Sequence, residues 1–248
     1  MARLRATLMK PLAGPLALYG QASARGLSLW AKYAANLPSP WTEVELDVRD
    51  TRSDAGSAVR AALGAQPEVL FGPYGSGPML AAAHACERII WNHGGATSKL
   101  RRPAFPQVIN VLSPASTYFA EVLRAVHAFD SRASTVSLFH SASGFGRDVA
   151  AGAVAIAPTL GFEVQSIPFE PSHAVLASSH VPEADVLLVV GNFAEERAVA
   201  PILLTRAFRF VAFVGAGVEE VLEELGDLLE GVLATQGKCG AEPGCVSW

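Results

Sequence analysis

Short apolar runs alternate along this chain with longer stretches in which apolar residues return every three or four positions. That alternation predicts parallel strands covered by helices on both faces. Residues 7–12 read as a first strand, broken at Gly14-Pro15. A helix over residues 22–36 follows, because Gly26, Leu29, Trp30, Tyr33 and Ala34 share a helical face and Leu37-Pro38 stops it. Over residues 43–48, Val44, Leu46 and Val48 alternate with Glu43, Glu45 and Asp47, the pattern of a strand with one buried and one wet face. Asp54 suits the cap of a helix running to Leu63, which Gly64 ends. Residues 68–71 form a short strand and residues 72–77 a glycine-rich turn, with Pro78 in the first turn of a helix through Glu87. Strands over 88–91 and 107–112 enclose a loop over 92–98.

From Ser113 a helix carrying Tyr118, Val122, Val126 and Phe129 leads into a second alternation of the same kind. Strands are expected over 135–139, 162–167, 185–190 and 208–214, with helices over 146–160, 194–206 and 218–229. The expected fold is therefore α/β, with two Rossmann-like lobes built on parallel sheets. The expected domains are residues 1–117 as an N-terminal ligand-binding lobe, 118–236 as a C-terminal lobe and 237–248 as an irregular tail. No Gly/Ser-rich linker separates the lobes.

Composition narrows the function. Half of the residues are hydrophobic, only 17% are charged, and the formal net charge is -4, which argues against a surface that tracks phosphates, so nucleic acid is not an expected partner. The longest strongly apolar run, residues 186–190, is far short of the roughly 20 residues that span a bilayer. The start is basic, but Lys10, Pro11 and Gly14 interrupt its apolar stretch, and it reads as a strand and not a targeting segment. Cys86, Cys239 and Cys245 lack metal-ligand spacing; Cys86 fits a buried free thiol, and Cys239 and Cys245 could close a small loop in an oxidising compartment. No metal or cofactor is expected. Gly72, Gly75 and Gly77 have the wrong spacing and place for a dinucleotide fingerprint, and Tyr74 stands where a hydrolase elbow needs its first glycine, so an enzyme is not expected.

Ligands of open parallel sheets collect beyond the carboxyl ends of the strands, at loops and helix N-termini. The Gly72-Pro-Tyr-Gly-Ser-Gly-Pro78 turn follows a strand and opens a helix, so its N–H groups and the Ser76 hydroxyl can meet an anion; the bland alternative is a tight turn that binds nothing. Next to it, Asn92-His-Gly-Gly-Ala-Thr-Ser98 offers carbonyls and the hydroxyls of Thr97 and Ser98 to an ammonium or amide. A lone loop histidine such as His93 reads as a hydrogen-bonded structural residue, not a base.

In order along the chain, Gly14-Pro-Leu-Ala-Leu-Tyr-Gly20, Phe71-Gly-Pro-Tyr-Gly-Ser76, Trp91-Asn-His-Gly-Gly-Ala-Thr-Ser98, Gly144-Phe-Gly-Arg147 and Ala184-Asp-Val-Leu-Leu-Val-Val-Gly191 together resemble the leucine-binding branch of the type I periplasmic binding proteins. The resemblance runs from about Thr7 to Thr235. It implies a Venus-flytrap cleft between the lobes that captures an amino-acid-like or amide ligand for an ABC permease, in the periplasm. Ser76 and Gly77 would meet the carboxylate, and Gly95, Ala96 and Thr97 the ammonium, with Tyr19 and Tyr74 alongside in the matching motifs. Phe145 would cover the ligand from the second lobe, with Asn192 or Phe193 on the next loop; ordinary packing is the competing reading of Phe145.

Two departures bear on the ligand. The family often carries an acidic residue after the strand at 208–214, where Gly215-Ala216-Gly217 has none, and Glu219 and Glu220 read as solvated helix-start charges. Family members also continue well beyond this chain and weave back into the first lobe, so the resemblance implies a C-terminally truncated version. Two other readings stay open: a cytoplasmic ligand-sensing domain of the same fold, and a truncated remnant that binds nothing. A DNA-binding head has no room before the first lobe.

Overall fold

The structure is a computed structural model that describes residues 2–36, 40–64, 67–101 and 103–235. The opening strand, β1 (Arg3–Lys10), buries Ala6 and Leu8 on one face and Thr7 and Met9 on the other, as an interior strand of a covered sheet must. It pairs in parallel with β2 (Glu43–Asp50) and β3 (Val69–Phe71), and β4 (Ile90–Asn92) and β5 (Val108–Asn110) complete a parallel sheet of order β2-β1-β3-β4-β5. Leu27 and Trp30 of α1 (Ala17–Tyr33) pack on Ala6, Leu8 and Phe71. On the other face, α2 (Ala55–Gly64) and α3 (Ser76–Ala85) bury Ala58, Ala62, Met79 and Ala82 against Met9, Leu70, Ile90 and Val108. The chain leaves β1 for β2 and then returns to β3 on the opposite side, so the topological switch point lies between β1 and β3.

Two local expectations change. Helix α1 begins at Ala17, ahead of the expected start, because Gly20 lets it settle onto the end of β1: a Cβ at Gly20 would sit 2.0 Å from the Pro11 carbonyl oxygen. Strand β2 is an edge, and Val48 on its apolar side is 43% exposed. Asp54 caps α2 as expected, its Oδ1 accepting the Ser57 N–H at 2.7 Å.

The chain divides into two units, Met1–Leu112 and Ser113–Trp248. The second repeats the first in topology. Its strands are β6 (Thr135–Ser141), β7 (Glu163–Phe169), β8 (Val186–Val190), β9 (Phe210–Phe213) and β10 (Leu233–Ala234), all parallel in the order β10-β9-β8-β6-β7. Its switch point lies between β6 and β8. A tight helical turn over Ala115–Thr117 precedes α4 (Tyr118–Phe129), which packs on α5 (Gly144–Ile156), and α5 covers one face of the sheet. The other face buries Phe139, Leu187, Val189 and Phe213 beneath α6 (Ala174–Ser178), α7 (Phe193–Leu203) and α8 (Glu219–Leu225). Gly146 repeats the role of Gly20, since a Cβ there would lie 2.2 Å from the Ser141 carbonyl oxygen. Cys86 is buried and free, whereas Cys239, Cys245 and the expected tail over 237–248 lie outside the described residues. Among the described residues no helix is long and apolar enough to cross a membrane.

Candidate functional site

At the first switch point, β3 ends at Phe71 and the chain turns through Gly72 to Gly75 into α3. Gly75 has φ 101°, a left-handed backbone that favours glycine, and it delivers Ser76 as the first helical residue. The turn and the 92–98 loop lie side by side: the Gly72 N–H donates to the Trp91 carbonyl at 2.9 Å and the Gly75 N–H to the Gly94 carbonyl at 2.8 Å. A Cβ on Gly94 would come within 2.8 Å of Tyr74 Cα. Ser76 is only 8% exposed, and its hydroxyl has no hydrogen-bond partner. The first turn of a helix leaves its N–H groups without partners inside the helix. Here Ser76 and Gly77 supply them, Pro78 has none to give, and Gly77 is exposed with open space where a Cβ would stand. A buried unpartnered hydroxyl at a helix N-terminus is an anion-binding arrangement.

The second loop differs from expectation. Asn92 is buried; its Oδ1 accepts the N–H groups of Gly94 at 3.3 Å and Gly95 at 2.8 Å, and its Nδ2 donates to the Gly95 carbonyl at 2.8 Å and to Asn110 Oδ1 at 2.7 Å. The Gly95 carbonyl expected to face an ammonium is thus engaged within the loop, and that of Gly94 is engaged by Gly75. Ala96 is buried, and the Thr97 hydroxyl caps the turn Ser98–Leu100 by accepting the Lys99 N–H at 3.4 Å. The glycines of this loop let it lock closely to its neighbour.

Sequence reasoning passed over Lys10, a lysine within a basic start. It is wholly buried at the end of β1, its Nζ donating to the Gly72 carbonyl and standing 2.8 Å from His93 Nε2. The Ser23 hydroxyl of α1 lies 2.7 Å from the same ring nitrogen. Burial pulls the Lys10 ammonium down to about 7, and burial together with the Lys10 charge pulls His93 down to about 4. The signal that could have found Lys10 was its place as the last residue of an interior strand beside a switch point. Tyr19 and Tyr74 stack with centroids 4.6 Å apart and an interplanar angle of 3°, tying α1 to the turn.

In the second unit, Phe145 stands in the first turn of α5 and meets Tyr118 edge-on at 5.9 Å. Asn192 forms a capping box: its Oδ1 accepts the Glu195 N–H at 3.0 Å, its backbone N–H donates to Glu195 Oε2 at 2.8 Å, and its Nδ2 donates to Oε1 at 2.7 Å. Its side chain is therefore committed to the helix start. Phe193 is partly buried against the core, and its ring lies 5.4 Å from the Arg197 guanidinium. The acid missing from residues 215–217 arrives from another element: Glu196 of α7, buried, accepts the Gly215 N–H at 2.7 Å and the Gly191 N–H at 3.1 Å. Burial raises its carboxyl to about 8, and burial also raises that of its neighbour Glu195. A separate cavity of about 310 Å³, lined by Thr135, Ser137, Glu163, Gln165 and Glu183 among others, opens at the amino ends of β6 and β7, away from these loops.

Two parallel sheets of identical order, each with helix starts gathered at its switch point, define a two-lobed α/β binding fold. The sequence profile of the periplasmic binding proteins matches residues 5–237, and the chain belongs to that family. Solved structures share the fold. The leucine-binding protein LivK of Thermotoga maritima MSB8 is 20% identical with a TM-score of 0.79, the match covering 97% of this chain and 72% of that one. An ABC-transporter solute-binding protein of R. palustris in complex with benzoate is 14% identical with a TM-score of 0.79, over 94% of this chain and 68% of that one. Another, from Rhodopseudomonas palustris BisB5 in complex with 3,4-dihydroxybenzoic acid, is 16% identical with a TM-score of 0.72, over 91% and 66%. A comparison with curated proteins finds no match.

Proposed function

We propose that this chain is a solute-binding protein whose ligand is a small carboxylate held at the start of α3, serving an ABC permease outside the cytoplasm. The observation that carries the reading is the Ser76 hydroxyl, buried and unpartnered beside the N–H groups of Ser76 and Gly77. An amino acid, as the leucine-binding relative takes, and a ring carboxylate, as the benzoate-binding relatives take, both present that group. With no partner of its own, the Ser76 hydroxyl is available to donate to a bound anion.

A thermal-shift screen of leucine and other amino acids, benzoates and short amides finds the ligand, because binding raises stability with the logarithm of ligand concentration over Kd. A hydrogen bond to a charged group is worth about 1.5–3 kcal/mol. Ser76→Ala is therefore expected to weaken binding about tenfold to a hundredfold by calorimetry. Undiminished affinity in Ser76→Ala, or the absence of any stabilising carboxylate, overturns the reading.

A further inference from the structure

Lys10 has a property the carboxylate reading does not use: it is a wholly buried cation without a counterion. Lys10 makes no ion pair among the described residues. Its register neighbour Asp50 in β2 gives its carboxylate to the N–H groups of Leu12 and Arg52. His93 of the 92–98 loop stands beside Lys10, Ser23 of α1 bonds the same ring nitrogen and Phe71 of β3 meets the ring edge-on, while Arg25 and Arg52 are exposed. Among the described residues the titratable group shown in contact with it is a second base, 2.8 Å away. Two bases at that distance cannot both be charged in a buried setting, so the pair holds at most one proton and gives it up as pH rises through about 7. That proton is costly to keep without an anion nearby. The Lys10 ammonium is hydrogen-bonded to the carbonyl of Gly72, which opens the turn that Ser76 closes.

We propose that Lys10, paired with His93, is a specificity-determining residue of the Ser76 site: it makes the site favour carboxylates over the corresponding neutral amides and takes up a proton as the carboxylate binds. The inference rests on the carboxylate reading above. An anion at the start of α3 stabilises the ammonium form of Lys10, and by linkage the ammonium form strengthens the anion's binding by the same factor. A neutral amide of the same shape gains nothing from the charge. Because burial places the Lys10 value near 7, the coupling falls in the range where it can be measured.

The test is calorimetry of the full chain with benzoate, leucine and benzamide at pH 6, 7, 8 and 9, in two buffers of different ionisation enthalpy. Carboxylate binding at pH 8 is expected to take up a substantial fraction of one proton, and affinity to fall with pH above about 7, by at most tenfold per unit. Benzamide should bind far more weakly and without proton uptake. Lys10→Met is expected to abolish the uptake and narrow the carboxylate preference at least tenfold; if it does not fold, the wild-type proton count still decides. Carboxylate binding that is flat over pH 7–9 without proton uptake, yet weakened by Ser76→Ala, overturns the role of Lys10 and leaves the site standing. Uptake that persists in Lys10→Met also overturns it, and the absence of any carboxylate binding overturns both readings.

Discussion

Asn92 shows how a polar residue in a glycine-rich loop can be structural in a way that its sequence context hides. The loop was legible as a loop, and its place beside the 72–77 turn followed from strand order. What its glycines were for was not legible, because that depends on one side chain folding back over three residues. Asn92→Ala should leave the Gly95 N–H buried without a partner, costing about 1–3 kcal/mol in urea denaturation. It should also speed amide exchange at Gly95 before exchange rises elsewhere in the unit. Unchanged protection of that amide would mean that the loop is held by something else. Ser76 could be picked out from the sequence because a serine at a strand-turn-helix junction has few other uses. Lys10 could not, since a lysine near a chain start reads as solvated until the carbonyl of Gly72 and the ring of His93 are seen around it.

Element boundaries moved where packing overrode local pattern. Gly20 lies ahead of the helix expected over 22–36 and Gly146 at the start of the one expected over 146–160, yet each lies within the first helix after its unit's first strand and lets that helix close onto the strand end. The pair marks the same architectural position in the two units. The short elements α6 and β10 went unread because neither is long enough to show a period. Asn192 or Phe193 was expected on a loop facing the ligand, and the Asn192 side chain forms a capping box at the start of α7. Asn192→Ala should therefore cost about 1 kcal/mol of stability, while Asn192→Asp, an equally good cap, should cost much less. Ligand affinity measured alongside separates the roles: equal stability losses in the two variants, or a large affinity loss in the aspartate variant, would show that Asn192 serves more than the helix.

At the scale of the whole molecule the two units bury ionisable groups of opposite type at equivalent switch points, a lysine in the first and a glutamate pair in the second, and among the described residues neither forms an ion pair. Their effects on stability run in opposite directions with pH. Glu196 is raised from 4.5 to about 8, so between those values the native chain holds a proton that the unfolded chain has released, and stability falls as pH rises through that window. Lys10 is lowered from 10.5 to about 7, so between those values the unfolded chain holds the proton and the native chain does not, and stability rises with pH. Together they set a shallow minimum near pH 7–8. Because the two residues lie in different units and share no partner, their contributions should add. Glu196→Gln should flatten the decline below pH 8 relative to wild type even if it lowers stability overall, since one of its two backbone donors loses its acceptor. Lys10→Met should flatten the rise above pH 7, and the double variant should lose both slopes. Thermal midpoints of the four proteins from pH 4.5 to 10 check this. Lys10→Met also shifts the acidic limb through its neighbour His93, so the alkaline limb decides: if Glu196→Gln changes it, the two sites are coupled and the assignment of one group to each unit fails.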